Sequence, residues 1–108
     1  MTARLPTNLV VSALLRRAND SGGMGAVLAR GDAQAGGILV VIAPRGAPAR
    51  AVERGIGPEG LTALIESSAG DAIEDYWRRR RRRDPDLWVV ELDSPQAERF
   101  AAETLLAN

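Results

Sequence analysis

The chain has 108 residues, 14 arginines that balance 14 acidic residues, and no cysteine, histidine or lysine. This length suits one domain with a modest core, whereas the missing residue types exclude disulfides, zinc fingers, Ser-His-Asp relays, P-loop lysines and Schiff-base catalysis. Six consecutive arginines at 78–83 carry +6, so the rest of the chain carries −6. That balance argues against general nucleic-acid binding, which is typical of strongly basic domains.

The apolar segments are all shorter than a transmembrane helix, so we expect no membrane partner. The apolar run at 9–15 is followed by arginines, whereas a secretory signal has its positive charges in front. A cytoplasmic location is therefore the default expectation.

The N-terminal part predicts a helix. Residues 1–6 are predicted to form a loose tail. Thr7 or Asn8 can cap a helix over roughly 8–20, in which apolar residues recur at helical spacing. A strand through 9–15 is the weaker alternative.

The middle of the chain predicts strands. Residues 24–30 and 37–43 predict two strands, and the short glycine-flanked turn at 31–36 favours an antiparallel hairpin between them. The second strand is apolar at nearly every position, which is typical of a central strand covered on both faces. Residues 49–54 alternate arginines with small or acidic residues, which predicts an edge strand. Residues 61–66 fit both helical and strand spacing, and we favour a strand.

The C-terminal part predicts a helix, a strand and a second helix. The first helix runs from about residue 69 to 83, with a capping box that starts at Ser68, and Pro85 stops it. Acidic residues at its start and arginines at its end both complement the helix dipole. Residues 87–92 predict a strand, and Ser94 predicts the cap of a terminal helix.

Two segments taken together resemble a known family. They are ARGDAQAGGILVVI at 29–42 and DPDLWVVELD at 84–93, which follows the arginine-rich helix. They resemble a family of small bacterial proteins catalogued as domain of unknown function 1491. The resemblance spans most of the chain and implies the α+β fold and a bacterial cytoplasmic setting; the family has no established activity, so it implies no site. A glycine-containing turn and a further strand commonly end the family fold, whereas Ser94 and Pro95 predict a helix here.

The arginine run is the strongest candidate for a contact surface. Six consecutive helical residues spread over about 500° of arc, so they cannot share one face. Guanidinium groups suit carboxylates and phosphates, although such a run is more often a solvated helix end with i,i+4 pairs such as Glu74–Arg78 and Asp75–Arg79. The candidate binding residues are Arg78, Arg79, Arg81, Arg82 and Arg83.

Two glycine-containing stretches are weaker candidates. Residues 55–60 match the dinucleotide pattern GxGxxG, but Pro58 interrupts it and the chain is too short for two nucleotide-binding halves. A flexible turn is the simpler interpretation. The turn at 31–36 could be an anion nest, although turn chemistry in which Asp32 binds the nearby backbone is commoner.

Carboxylates and tryptophans complete the candidates. Asp84, Asp86 and Glu91 could bind a divalent cation or act as acid and base. Ion pairs that join Asp84 or Asp86 to nearby arginines and fix the helix-to-strand corner are the favoured interpretation. Trp77 and Trp88 could line a pocket, but their spacing favours core packing.

We therefore predict one α+β domain over 1–108, with a mostly antiparallel sheet of four to five strands and two to three helices packed on one face. The favoured function is a non-catalytic binding or interaction module that contacts an acidic protein or a second copy of itself. An RNA- or nucleotide-binding domain that uses the same arginines is the alternative, followed by a small carboxylate-dependent enzyme. We assign no catalytic residue, cofactor or metal site. The predicted core includes Leu14, Leu39, Val41, Trp77, Leu87 and Val89.

Overall fold

A five-stranded sheet with three α-helices forms the framework of residues 5–107, the part of the chain that the computed structural model describes. The helices are α1 (Thr7–Asp20), α2 (Ile73–Arg83) and α3 (Ala97–Ala107). The strands are β1 (Met24–Ala29), β2 (Ile38–Ile42), β3 (Arg50–Ile56), β4 (Thr62–Ala69) and β5 (Trp88–Asp93). The pairing of β2 with β5 is parallel and the other three pairings are antiparallel. The α+β class and the mostly antiparallel sheet are confirmed; of the predicted N-terminal tail, residues 1–4 lie outside the described range.

The strand order is β1-β5-β2-β3-β4, so the predicted hairpin between β1 and β2 is wrong. Strand β5 lies between them because it is apolar on both faces: Val89 is buried on one face, and Trp88 and Val90 are buried on the other. Such a strand is most stable at the centre of a sheet. The predicted edge position of β3 is also wrong, since β4 continues the sheet beyond it.

The loop at 31–36 carries the chain from β1 over the start of β5 to β2. The Asp32 N–H donates to the Asp86 carbonyl at 3.0 Å, and the Trp88 indole donates to the Asp32 carbonyl at 2.8 Å. Gly31 and Gly36 lie so close to the Asp86 carbonyl that an added Cβ would approach its oxygen to 2.0 and 2.1 Å. Glycine is therefore required at both positions for steric reasons.

The same loop caps α1. The N–H groups of Thr7 and Asn8 donate to the carbonyls of Gln34 and Ala33 at 3.2 and 3.0 Å, and the Thr7 hydroxyl donates to the Gly36 carbonyl at 2.8 Å. The side-chain cap predicted at Thr7 or Asn8 is wrong, because loop carbonyls satisfy the first N–H groups instead.

The helices cover both faces of the sheet. Two of them, α1 and α3, pack on one face, whereas Ile73 and Trp77 of α2 pack on the opposite face against Leu39, Val41 and Val89. The prediction that the helices share one face is therefore wrong for α2, because β2 and β5 present apolar side chains in both directions. All of the predicted core residues are buried.

The start of α2 also differs from the prediction. Strand β4 runs from Thr62 to Ala69, which confirms the strand predicted at 61–66 for all but its first residue, and a 3₁₀ turn at Gly70–Ala72 precedes the helix. No side chain caps that turn, so the capping box at Ser68 is wrong. The Ser94 cap is confirmed, since the Ser94 hydroxyl accepts the Gln96 N–H at 3.2 Å.

The burial of Leu39 predicts a large loss of stability when its side chain is shortened. We expect Leu39→Ala to lower the free energy of unfolding by about 2–5 kcal/mol, because this side chain of β2 is fully buried in the cluster that includes Ile73 and Trp77 of α2. Leu61→Ala is the matched control, since Leu61 is 67% exposed, and we expect a change within about 0.5 kcal/mol. Urea unfolding measures both, and equal losses would contradict the described core.

Candidate binding surface on the arginine-rich helix

Helix α2 divides the six arginines between two sides. Successive residues of an α-helix are rotated by about 100°. Trp77 is buried against the sheet, and Arg80 and Arg81 follow it by three and four positions, which places them on the same side of the helix. Both are half-buried. The other four arginines face away from the sheet.

Arg80 joins α2 to the sheet through a half-buried ion pair with Glu53 on β3. The Arg80 guanidinium also donates to the Tyr76 hydroxyl at 3.1 Å, and the Ser67 hydroxyl donates to the Glu53 carboxylate. Burial lowers the pKa of Arg80, but the hydrogen bonds to Glu53 and Tyr76 outweigh burial and leave the pKa above its ordinary value. This cluster fixes the end of α2 against β3 and β4.

The Arg80 cluster was missed by the sequence analysis, which left Arg80, Glu53 and Ser67 out of the candidates. The sequence spacing could have identified Arg80, because it follows Tyr76 by four positions and Trp77 by three. This spacing places Arg80 on the apolar side of the helix. Nothing in the local sequence identifies Glu53 and Ser67, because they lie on strands far away in the chain.

Arg81 binds the backbone around the start of β5. Its Nε donates to the Leu87 carbonyl at 3.0 Å, and its Nη2 donates to the carbonyls of Arg30 and Pro85 at 2.7 and 3.1 Å. One guanidinium therefore holds together the end of β1, the turn after α2 and the approach to β5. These bonds engage Arg81 within the fold, so we leave it out of the contact surface.

Arg78, Arg79, Arg82 and Arg83 form what we call the outward arginine face. Their positions span about 140° of the helix circumference, and all four residues are exposed. Arg79, Arg82 and Arg83 form no hydrogen bond or ion pair with any residue between 5 and 107. Three cations of this face are therefore available to an external anion.

The remaining member of the face, Arg78, is partly engaged. Its guanidinium lies 4.7 Å from the centroid of the Trp77 ring and pairs with Glu74 at 3.3 Å. The Glu74–Arg78 pair is thus confirmed. The predicted Asp75–Arg79 pair does not form within the described part of the chain.

Several acidic residues outside α2 are occupied by other arginines. Arg17 on α1 pairs with Glu103 on α3 at 2.5 Å, and Arg50 on β3 pairs with Glu98 and Glu66 at 2.7 and 3.4 Å. The hydrogen bond with Glu98 is the main cause that raises the pKa of Arg50 above its ordinary value. These pairs join structural elements and leave the outward arginine face without neutralising partners from those elements.

The acidic corner after α2 is fixed by hydrogen bonds. The Asp84 carboxylate accepts the Asp86 N–H at 3.2 Å, and the Asp84 carbonyl accepts the Leu87 N–H at 3.1 Å. Neither aspartate pairs with an arginine among residues 5–107, so the ion pairs predicted at this corner are wrong. No group of three or more acidic residues in this range is arranged to hold a metal ion.

The two glycine-containing candidates form turns. The GxGxxG stretch at 55–60 ends β3 and turns into β4, so it lacks the helix that follows a dinucleotide-binding loop. In the turn at 31–36, the Asp32 carboxylate accepts the N–H groups of Gln34 and Ala35 at 3.2 and 2.8 Å, which is the turn chemistry we expected.

A cleft of about 450 Å³ opens beside the Arg80 cluster, between the start of α1, the loop at 31–36 and the end of α2. Its volume lies within the range of small-molecule sites. The carboxylates of Glu53 and Asp84 in its lining are balanced by the guanidinium groups of Arg54 and Arg80. The cleft therefore has no net charge that would select one ion, unlike the outward arginine face.

The family follows from sequence comparison. The sequence profile of a family described as "Protein of unknown function (DUF1491)" matches residues 5–102. The chain belongs to this family. The DUF1491 resemblance recognised in the two sequence segments is thereby confirmed, and the match includes the arginine-rich helix and β5. No curated protein matches the sequence.

Solved structures of similar proteins, two of them from the DUF1491 family, share this fold. A crystal structure of a family member from Caulobacter crescentus CB15 is 32% identical, covers 90% of this chain and 94% of its own, and gives a TM-score of 0.76. An NMR structure from the same organism is also 32% identical, covers 93% of this chain and 94% of its own, and has the same score. A solution structure from A. tumefaciens is 29% identical, covers 85% and 87% of the two chains, and scores 0.69.

Membrane-spanning helices are absent from residues 5–107, because none of the helices there is long and apolar enough.

The backbone contacts of Arg81 predict that its role in the fold differs from that of its neighbours. We expect Arg81→Met to lower the free energy of unfolding by about 1–3 kcal/mol, because the carbonyls of Arg30, Pro85 and Leu87 lose a charged donor. Arg82→Met removes the same charge from an exposed side chain, and we expect a change within about 0.5 kcal/mol. Urea unfolding of the Arg81→Met and Arg82→Met variants measures both changes, and equal stability of the two variants would exclude a structural role for Arg81.

Proposed function

We propose that this DUF1491 protein is a non-catalytic binding module that contacts an acidic partner protein through the outward arginine face. The observation that supports the proposal is the division of the arginine run: two members are engaged in the fold, and Arg79, Arg82 and Arg83 remain exposed on one side of a rigid helix. A charge run that served only as a solvated helix end would not need Arg80 and Arg81 to fix the helix against the rest of the fold.

The chemistry of the face suits carboxylates. Guanidinium groups bind carboxylates through two parallel hydrogen bonds, and Trp77 and the Arg80 cluster hold α2 firmly against the sheet. A local excess of positive charge on a chain of zero net charge also steers acidic partners toward one site. We expect the protein to carry out this role in the bacterial cytoplasm, as the family resemblance implies.

RNA is the less favoured partner because the face lacks a stacking surface. Proteins that bind single strands place exposed aromatic rings beside their cations. Trp77 and Trp88 are buried, and Tyr76 is half-buried and bonded to Arg80. Phosphates could still contact the arginines, so a nucleic-acid probe belongs in the test.

The test compares a labelled oligoglutamate peptide with a single-stranded RNA of equal charge, by fluorescence anisotropy. We expect Arg79→Ser, Arg82→Ser and Arg83→Ser together to weaken binding of the peptide by about threefold to about a hundredfold at about 50 mM salt, since three exposed charge pairs at about 0.2–1 kcal/mol each contribute about 0.6–3 kcal/mol. Binding should also weaken between about 50 and 200 mM salt, because the contacts are electrostatic.

The control removes the same charge from another part of the surface, through Arg16→Ser, Arg45→Ser and Arg99→Ser together. These residues are exposed and lie outside α2. Equal loss of binding in both triple variants would show a general charge effect and contradict the proposal. RNA bound more tightly than the peptide, and weakened only by the α2 variant, would favour the nucleic-acid alternative.

A further inference from the structure

The outer edge of β1 is unprotected. The strand has the sequence MGAVLA, with no charged residue, no proline and no polar side chain. It pairs with β5 on one side, and no strand among residues 5–107 pairs with its other side. Its outward N–H and C=O groups therefore form a template for another strand, which proteins usually block with charges, prolines or cover from a helix.

The opposite edge of the sheet is protected. Strand β4 carries Thr62, Glu66, Ser67 and Ser68, whereas β1 carries no polar side chain. Glu66 also pairs with Arg50. Helices contact both terminal strands, α1 at β1 and α2 and α3 at β4, so the two edges differ in their side chains: only the β1 edge lacks the charged and polar residues that oppose pairing.

Exposed apolar surface continues from the β1 edge onto the face of the sheet that α2 covers only in part. Met24 and Leu28 are 66% and 39% exposed. A bulge between Val27 and Ala29 displaces Leu28 from the regular pairing. Leu28 also lines a groove of about 480 Å³ whose floor includes Ile73 and Trp77. Exposed apolar surface that adjoins an open edge marks an interaction site.

We propose that β1 pairs in antiparallel fashion with β1 of a second copy of this chain, which joins the two sheets into one. A two-fold axis relates the two strands of such a pair. Because β1 contains no charged residue, the symmetric pairing places no two like charges side by side. The contact is isologous and closes as a dimer.

The charges that flank β1 favour the antiparallel direction and the second copy as occupant. Asp20, at the end of α1, lies before β1, and Arg30 follows the strand directly; both are exposed. Antiparallel pairing places the Asp20 end of one copy beside the Arg30 end of the other, twice by symmetry. Parallel pairing would place like charges together and would not close.

The dimer would bring two outward arginine faces to the same side of one continuous sheet. A two-fold axis perpendicular to the sheet keeps both copies of α2 on one side, and α2 packs mainly over β2 and its neighbours. Five strand spacings separate the two β2 strands, which corresponds to about 24 Å. A partner that contacts both faces would gain avidity. The pairing of the β1 strands involves none of these arginines. An experiment can therefore disprove the dimer without disproving the proposed binding function, and the reverse also holds.

The pairing is short because the bulge interrupts β1 after Val27. We therefore expect an interface smaller than the standard of about 1,600 Å² and a dissociation constant on the order of 100 µM. Sedimentation equilibrium from about 10 µM to about 1 mM spans that range. Isotope-filtered NOEs between two copies of Val27 would report the pairing directly.

Met24→Lys with Leu28→Lys is the test variant, since both side chains are exposed and neither belongs to the buried core. We expect this variant to remain folded and to be monomeric over the whole concentration range, because lysines placed along an edge strand oppose pairing. Ile56→Lys with Leu61→Lys is the matched control. These two side chains are 69% and 67% exposed at the β3–β4 turn, and their replacement should leave the dimer intact.

Three results would overturn the proposal. They are a wild-type chain that is monomeric at about 1 mM, a dimer that persists in the Met24 and Leu28 variant, and a dimer that is lost in the Ile56 and Leu61 control. A monomer whose outward β1 amides become protected from hydrogen exchange only when an extended peptide is added would assign the edge to a different occupant.

Discussion

The central position of β5 is the constraint on which the rest of the structure depends. Its side chains are apolar in both directions, so the strand is stable only when both of its faces and both of its edges are covered. Strands β1 and β2 cover the edges, and the loop at 31–36 must then cross the start of β5. The Asp86 carbonyl, the Trp88 indole and Arg81 hold that crossing, and the loop in turn caps α1.

The period of the α-helix separates the structural from the available arginines. Residues three and four positions after Trp77 return to the sheet, where Arg80 finds Glu53 and Arg81 finds three carbonyls. The other four positions turn away from it. A chain of zero net charge can therefore present a local cationic face, because its acidic residues are distributed among ion pairs in other elements and exposed positions elsewhere.

Coverage of the sheet explains where surface remains open. Both faces of β2 and β5 require helices, and α1 and α3 occupy one face of the sheet. The single helix α2 is left for the opposite face, and it packs over β2, β3 and β5. The part of that face next to β1 stays exposed, which accounts for Met24 and Leu28 at the surface. The exposed apolar surface beside β1 thus follows from the distribution of the helices over the two faces.

The sequence alone determined the local elements of this protein. Apolar periodicity, Pro85 and the Ser94 cap placed α2, β5 and α3 to within a few residues, and burial of Trp77 and Trp88 followed from their apolar settings. These features depend on neighbours along the chain, so a single sequence contains them. The family was also visible in two short segments.

The tertiary structure decided which strands are neighbours and what each arginine contacts. The insertion of β5 between β1 and β2 depends on residues 50 or more positions apart, and no local pattern distinguishes it from a hairpin. Arg80 and Arg82 are arginines of the same run, so the sequence does not separate their roles. In the structure, Arg80 forms an ion pair with Glu53 on β3. Helical geometry predicts which arginines face inward once the buried side of α2 is known. The packing of α2 on the sheet decides which side is buried.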